Sequence, residues 1–280
     1  MVEAIDAHVH LWTDDRKRYP RNPGERDSPP PRFAPEDFLA HAHPAGVARA
    51  VLVQMSFYRF DNSYMLDCMR AHPRVFSGIG IVDSLAANPQ RAMKELRDKG
   101  VRGFRIVPGD TPRTWLEAPG MRKMWQCGAE LGLAICPLIG PDAIVSIDRM
   151  CESYPDTRVV IDHIARIGID GQIRDSDIRF LCGLAKHRSV HVKISAFYAL
   201  GLKRSPYRDL EHLILRVFEN FGPRRLMWGS DCPFQLQNGH EYKSSIALVR
   251  EGLPFLSLED REWVLAKTAQ TIFFATEGPG

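Results

Sequence analysis

The stretch NPQRAMKELRDKGVRGFRIV, residues 88–107, decides the fold. Its first part has the apolar spacing of one helix face. Gly100 follows as a helix C-terminal signal, and an apolar, β-branched run, VRGFRIV, comes directly after it. The same unit recurs along the chain. Apolar runs occur at EAIDAH (3–8), ARAVLVQ (48–54), VFSGIGIV (75–82), VRGFRIV (101–107), GLAICPLI (132–139), TRVVIDH (157–163), VHVKIS (190–195) and RRLMWGS (224–230). Helical spacing lies between them, as in GMRKMWQCGAELG and YRDLEHLILRVFENFG, and Gly46, Gly132 and Gly222 stand before the next strand as Gly100 does. Near-continuous apolar strands alternating with helices predict a parallel sheet covered by helices. Eight units predict closure into a (β/α)8 TIM-like barrel, one domain over residues 1–280. An open doubly wound sheet is the rival, and it is disfavoured because no Gly-rich phosphate turn follows the first strand.

Composition narrows the function. The chain has 280 residues, 44% hydrophobic and 25% charged, with 37 Lys+Arg against 34 Asp+Glu and a net charge of +3. Such a balance gives no reason to expect nucleic acid or an anionic membrane as partner. No apolar run approaches the ~18 residues of a spanning helix. The N-terminus carries acids and a histidine pair where a secretory signal needs a basic start and an apolar core, so a cytoplasmic protein is expected. Cys68, Cys127, Cys136, Cys151, Cys182 and Cys232 show no CxxC spacing and read as reduced thiols. One segment breaks the rhythm. TDDRKRYPRNPGERDSPPPRF, residues 13–33, is long, basic and proline-rich, and reads either as a lid or as a poorly ordered loop. The tail TEGPG is expected to fray. Trp263, Val264, Ile272, Phe273 and Phe274 fit core and oligomer interface equally, so a homo-oligomer is compatible with the sequence.

In such a barrel the chemistry sits at the C-terminal ends of the strands. Strand 1 ends in Asp6, His8 and His10, which share a face if side chains alternate regularly, with the two histidines roughly 7 Å apart along the strand. Strand 6 offers His163 with Arg166 nearby, strand 8 Asp231, strand 4 Arg105, strand 7 Lys193 and Ser195, and strand 2 Gln54, with Tyr58 and Arg59 beyond it. Each has a structural alternative. His163 alone is more often a satisfied structural histidine, Asp231 can cap a helix, Cys136 is a small core residue, and Arg105 and Lys193 can pair with Asp6 or Asp83. Histidines and an aspartate gathered on strand ends outweigh those readings, because buried polar groups cost free energy without purpose. His72, His187 and His191 read as surface or helix-end residues.

DAHVHLW in strand 1, VVIDHIARI in strand 6, VKISA in strand 7 and LMWGSDCPF in strand 8 resemble the amidohydrolase superfamily, and within it the amidohydrolase-related branch of pyrone and sugar-acid lactonases. The resemblance runs from Asp6 to about Phe234 in matching motif order. It implies that Asp231 is the general base that activates water, and that His8, His10 and His163 bind metal or polarise the scissile carbonyl. Lactone hydrolysis needs those two things, a nucleophilic water and positive charge near the developing oxyanion. The pattern departs from metal-dependent members at strands 4 and 5, where GFRIVPG and LAICPLIG hold neither lysine nor histidine. His8, His10 and Asp231 still suffice for one zinc with open positions, but a mechanism with no required metal is favoured. Arg105, Arg166 and Lys193, with Ser195, Gln54 and Tyr58, point to a small anionic substrate, and the basic loop with Arg16, Lys17, Arg18, Tyr19 and Arg21 either closes over it or is a solvated surface. The leading expectation is a hydrolase opening a small carboxylate-bearing lactone. A metal-dependent decarboxylase of an aromatic or muconate-type acid, and a barrel that binds a small acid without turnover, are the alternatives.

Overall fold

The computed structural model describes residues 3–23, 30–108 and 114–274; part of the basic loop and the TEGPG tail lie outside them. Eight parallel strands run in chain order: β1 (Ala4–Val9), β2 (Val47–Val53), β3 (Phe76–Gly80), β4 (Val101–Ile106), β5 (Ala134–Pro137), β6 (Val159–Ile161), β7 (Val190–Ser195) and β8 (Leu226–Gly229). The sheet closes where Val9 bridges Cys232, with the His10 N–H on the Cys232 carbonyl at 2.8 Å and the Asp231 N–H on the His8 carbonyl at 2.9 Å. Every strand expected from the sequence is present, and the barrel is the architecture. Around it stand α1 (Pro35–Ala42), α2 (Ser63–Ala71), α3 (Pro89–Asp98), α4 (Pro119–Leu131), α5 (Ile144–Ser153), α6 (Asp175–Gly183), α7 (Glu211–Phe221) and α8 (Tyr242–Ala247). Gly46, Gly100, Gly132 and Gly222 all take positive φ where the chain turns towards a strand.

The core has two parts. The larger lies between sheet and helices. The smaller fills the barrel: Ile5, Ala7, Val51, Val53, Ile79, Ala134, Cys136, Val160 and Met227 pack with Ala266, Ala269, Ile272 and Phe273. The C-terminal segment therefore plugs the barrel, and Ser77 near the start of β3 donates to the Phe273 carbonyl at 2.7 Å. Val264, Ile272 and Phe273 are core residues, not an exposed face. All six cysteines are free and buried. Among the described residues no helix is long and apolar enough to cross a membrane.

The loop after β1 is anchored where it is described. Phe33 and Trp12 exchange backbone hydrogen bonds at 2.9 Å, and Tyr19 donates to Asp67 of α2 at 2.6 Å. Arg18 also pairs with Asp67, and the Arg21 guanidinium lies 4.1 Å over the Phe57 ring. Arg18, Tyr19 and Arg21 thus contact Asp67 and Phe57 at the wall of the barrel.

Candidate active site

Strand 1 does not alternate regularly. Its pairing with β2 steps from Asp6 opposite Ala50 to Val9 opposite Leu52, three residues against two, which is a bulge. The bulge separates Asp6 from the histidines. The Asp6 carboxylate accepts from the Ser230 N–H at 2.8 Å, the His8 N–H at 3.1 Å and the Tyr242 hydroxyl of α8 at 2.9 Å, so it ties β1 to β8 on the helix side. The expectation that Asp6 shares the face of His8 and His10 is therefore corrected, and Asp6 pairs with neither Arg105 nor Lys193.

His8 points across the barrel interior. Arg105 donates to its Nε2 at 2.9 Å and to Asp162 Oδ2 at 3.0 Å. Arg105, which can only donate, takes the His8 Nε2 lone pair, and His8 Nδ1 lies 3.3 Å from Asp162 Oδ1 and 3.2 Å from Lys193 Nζ. Lys193 Nζ lies 3.0 Å from the same oxygen and is fully buried. Burial, then Lys193, holds the His8 imidazole well below its usual range. Burial alone would raise the Asp162 carboxyl, but Lys193, His8 and Arg105 together hold it well below the usual carboxylate range. The counter-charge to Arg105 and Lys193 is thus Asp162, which sequence reasoning passed over although it directly precedes His163. Lys193 is buried on Asp162 in the barrel interior.

Asp231 sits among three imidazoles. Its Oδ1 is 3.3 Å from His10 Nε2 and 3.5 Å from His8 Nε2, and its Oδ2 is 3.9 Å from His163 Nε2. His10 gives its Nδ1 hydrogen to the Val53 carbonyl at 2.8 Å, so its Nε2 lone pair faces the cluster. Burial opposes ionisation of Asp231, but the surrounding imidazoles win and its carboxyl lies below the usual range. His163 bonds Ser195 Oγ through Nδ1 at 2.8 Å, and burial pushes its imidazole down to about 4 despite Asp231. Tyr198, another residue the sequence did not single out, donates to Asp231 Oδ2 at 2.6 Å.

The backbone at these strand ends is strained. His163, Ile164, Ala165 and Arg166 are consecutive with φ of 51–54°, and Asp231 has φ 65°. Left-handed conformations cost non-glycine residues about 1–2 kcal/mol each, and such strain gathers at functional sites. Arg166 stands near Asp231, Arg105 and Tyr198 and makes no hydrogen bond or ion pair among the described residues. Two other expected residues make hydrogen bonds to backbone outside the imidazole cluster. The Gln54 amide donates to the Asp61 carbonyl, and the Tyr58 hydroxyl accepts from the Thr13 N–H at 3.3 Å.

The amidohydrolase sequence profile matches residues 5–275. The chain belongs to the amidohydrolase family. This amidohydrolase is 29% identical over 245 residues to an L-fucono-1,5-lactonase of Burkholderia ambifaria, covering 86% of this chain and 83% of the relative. It is 27% identical over 238 residues to a 4-sulfomuconolactone hydrolase of Rhizobium radiobacter, covering 82% and 75%. A Pseudomonas putida structure provisionally assigned as a 2-pyrone-4,6-dicarboxylic acid hydrolase superposes with a TM-score of 0.81 at 26% identity, covering 98% of each chain.

A Burkholderia multivorans amidohydrolase of the same fold, with a TM-score of 0.82 at 18% identity, was solved with bound zinc, and the donor set here fits such an ion. His8 Nε2, His10 Nε2 and Asp231 Oδ1 lie 3.2–3.5 Å apart, close to the edge of a tetrahedral zinc face, and Asp231 Oδ1 is buried without a hydrogen-bond donor. His163 with His8 and Asp231 forms an overlapping set. An ion on His8 would have to take from Arg105 the lone pair that Arg105 now holds.

Proposed function

We propose that this amidohydrolase opens a small lactone bearing one or more carboxylates, with Asp231 as general base. One observation carries the reading: Asp231 Oδ1 is a buried carboxylate oxygen with no donor, turned into a cluster of imidazoles. The names of the L-fucono-1,5-lactonase, the 4-sulfomuconolactone hydrolase and the pyrone-dicarboxylic acid hydrolase support the substrate class.

Asp231 takes a proton from water, and the hydroxide attacks the lactone carbonyl carbon. The carbonyl oxygen gains negative charge and needs donors that are already in place. His8 and His10 present lone pairs and cannot supply them. His163 serves in the tautomer that carries its hydrogen on Nε2, 3.9 Å from Asp231 Oδ2, with Nδ1 against Ser195 Oγ at 2.8 Å. The ring C–O bond then breaks, and the proton held by Asp231 passes to the leaving alkoxide. Arg166, uncommitted at the mouth, and Arg105 hold the substrate carboxylate; Arg forms two-pronged contacts with that group. Ser195 orients His163. A divalent ion, when bound on His8, His10 and Asp231, would polarise the carbonyl and acidify water. Hydrolysis that does not require the ion is favoured by the lack of a lysine or histidine in GFRIVPG and LAICPLIG on β4 and β5. On β5, Cys136 is a buried core residue where the decarboxylase reading would look for a histidine.

A pH-indicator assay of chelated protein on sugar-acid and pyrone-type lactones tests this. Acid release is expected, falling on the order of 10³-fold in Asp231→Asn with folding intact. Equal rates in the variant would remove Asp231 from the mechanism. Activity appearing only after zinc is restored would overturn the metal-free reading and leave the lactonase.

A further inference from the structure

The two oxygens of Asp231 are not equivalent. Oδ2 accepts the Tyr198 hydroxyl at 2.6 Å, the shortest contact the carboxylate makes. Oδ1 has no donor and faces His8 and His10. A carboxylate on a single bond can turn, and a turned Asp231 would present its oxygens differently to a bound water. Tyr198 is the donor that holds Oδ2. It is half-buried, in a 3-10 turn (Phe197–Ala199) that follows Ala196 at φ 56°, and its ring lies 6.1 Å from the His240 ring. His240 is in turn stacked on Tyr207, whose hydroxyl bonds its Nδ1 at 2.8 Å. The phenol is therefore backed by an aromatic wall, and a phenol remains a donor at neutral pH.

We propose that Tyr198 is a positioning residue that pins Asp231 Oδ2 and so makes Oδ1 the oxygen that takes the proton from water. The inference rests on the lactonase reading for its kinetic consequence but not for its geometry. Pinning the carboxylate affects the chemical step more than ground-state binding, because the substrate carboxylate is held elsewhere, by Arg166 and Arg105.

The test compares wild type with Tyr198→Phe, which keeps the ring and removes only the donor. In crystals of both proteins, the Asp231 carboxylate is expected to hold one orientation in wild type and to turn or split in the variant. On a lactone that wild type hydrolyses, kcat is expected to fall about tenfold, with KM within about twofold and the melting temperature unchanged. An unmoved carboxylate in the variant overturns the proposal, whatever the substrate. So does an unchanged kcat, and a raised KM with kcat retained would make Tyr198 a substrate ligand instead. Wild-type silence on every lactone fails the functional reading, and the crystal comparison then decides the role of Tyr198 alone.

Discussion

Asp6 is buried at the seam between β1 and β8, and its charge state bears on stability. Burial pushes its carboxyl up from 3.8 to about 6, its three hydrogen-bond donors only partly offsetting the shift. Between those values the folded state holds a proton that the unfolded chain has released, so this group makes stability fall as pH rises. His163 and His191 act in the opposite sense. Burial pushes both down to about 4 from 6.5, so in that window the unfolded chain binds the extra protons and stability rises with pH. Asp162 and Asp231, both held low, lose stability only below the ordinary carboxylate range. Three imidazoles, His8 among them, outweigh one carboxyl, so acidification from about pH 6.5 to about pH 4 is expected to destabilise the protein. Asp6→Asn keeps an acceptor for the backbone N–H groups but deletes the opposing titration. Its loss between about pH 6 and pH 4 should be steeper by up to about 1.4 kcal/mol per pH unit. Urea midpoints of both proteins across that range decide it, and parallel curves would mean that Asp6 stays ionised throughout.

At the scale of elements, the eight strands and their order were legible because each is an apolar run set off by a glycine or a polar helix. What hung on local backbone was not. Alternation assigns faces only while the ladder is regular, and the β1 bulge depends on how β2 pairs with it, which no single segment reveals. The left-handed turn at His163–Arg166 is likewise invisible in Ile164 and Ala165, residues that favour other conformations. His8, His10, His163 and Asp231 were found because polar groups at strand ends are conspicuous, whereas Tyr198 lies in a loop with no pattern around it. Asp162 had a signal that went unused: Arg105 and Lys193 inside apolar strands need a buried counter-charge. Gly229 tests the seam itself. A Cβ there would lie 2.8 Å from His8 Cβ and 3.0 Å from His8 N, so any side chain displaces His8 from Arg105 and Asp162. Gly229→Ala is expected to cost about 1–3 kcal/mol and to lower kcat by at least about tenfold, since small misplacements of catalytic groups are costly. Thermal unfolding and steady-state rates measure both, and a fully active, equally stable variant would show that the two strands separate freely.

Across the whole molecule, one line of contacts runs up the barrel. Phe273 of the C-terminal plug lies under Lys193, whose Nζ is 5.7 Å from the ring centroid. Lys193 reaches Asp162, Asp162 meets His8 and Arg105, and His8 meets Asp231. The catalytic end thus rests on a buried ion cluster, and the cluster on an aromatic floor supplied by the chain's last described turn. Buried charges tolerate such a place only when paired and enclosed. Phe273→Ala removes the floor. Truncating a buried phenylalanine costs about 3–5 kcal/mol, and losing a desolvated cation–π contact adds about 1–2 kcal/mol. Most of that loss should appear in the unfolding free energy rather than in catalysis, because Asp162, Arg105 and the β8 seam still fix His8. Folded Phe273→Ala protein is therefore expected to keep its KM within about twofold while its urea midpoint drops sharply. A stable variant with a collapsed kcat would reverse the assignment: the plug would then tune the site through Lys193 rather than hold the barrel together.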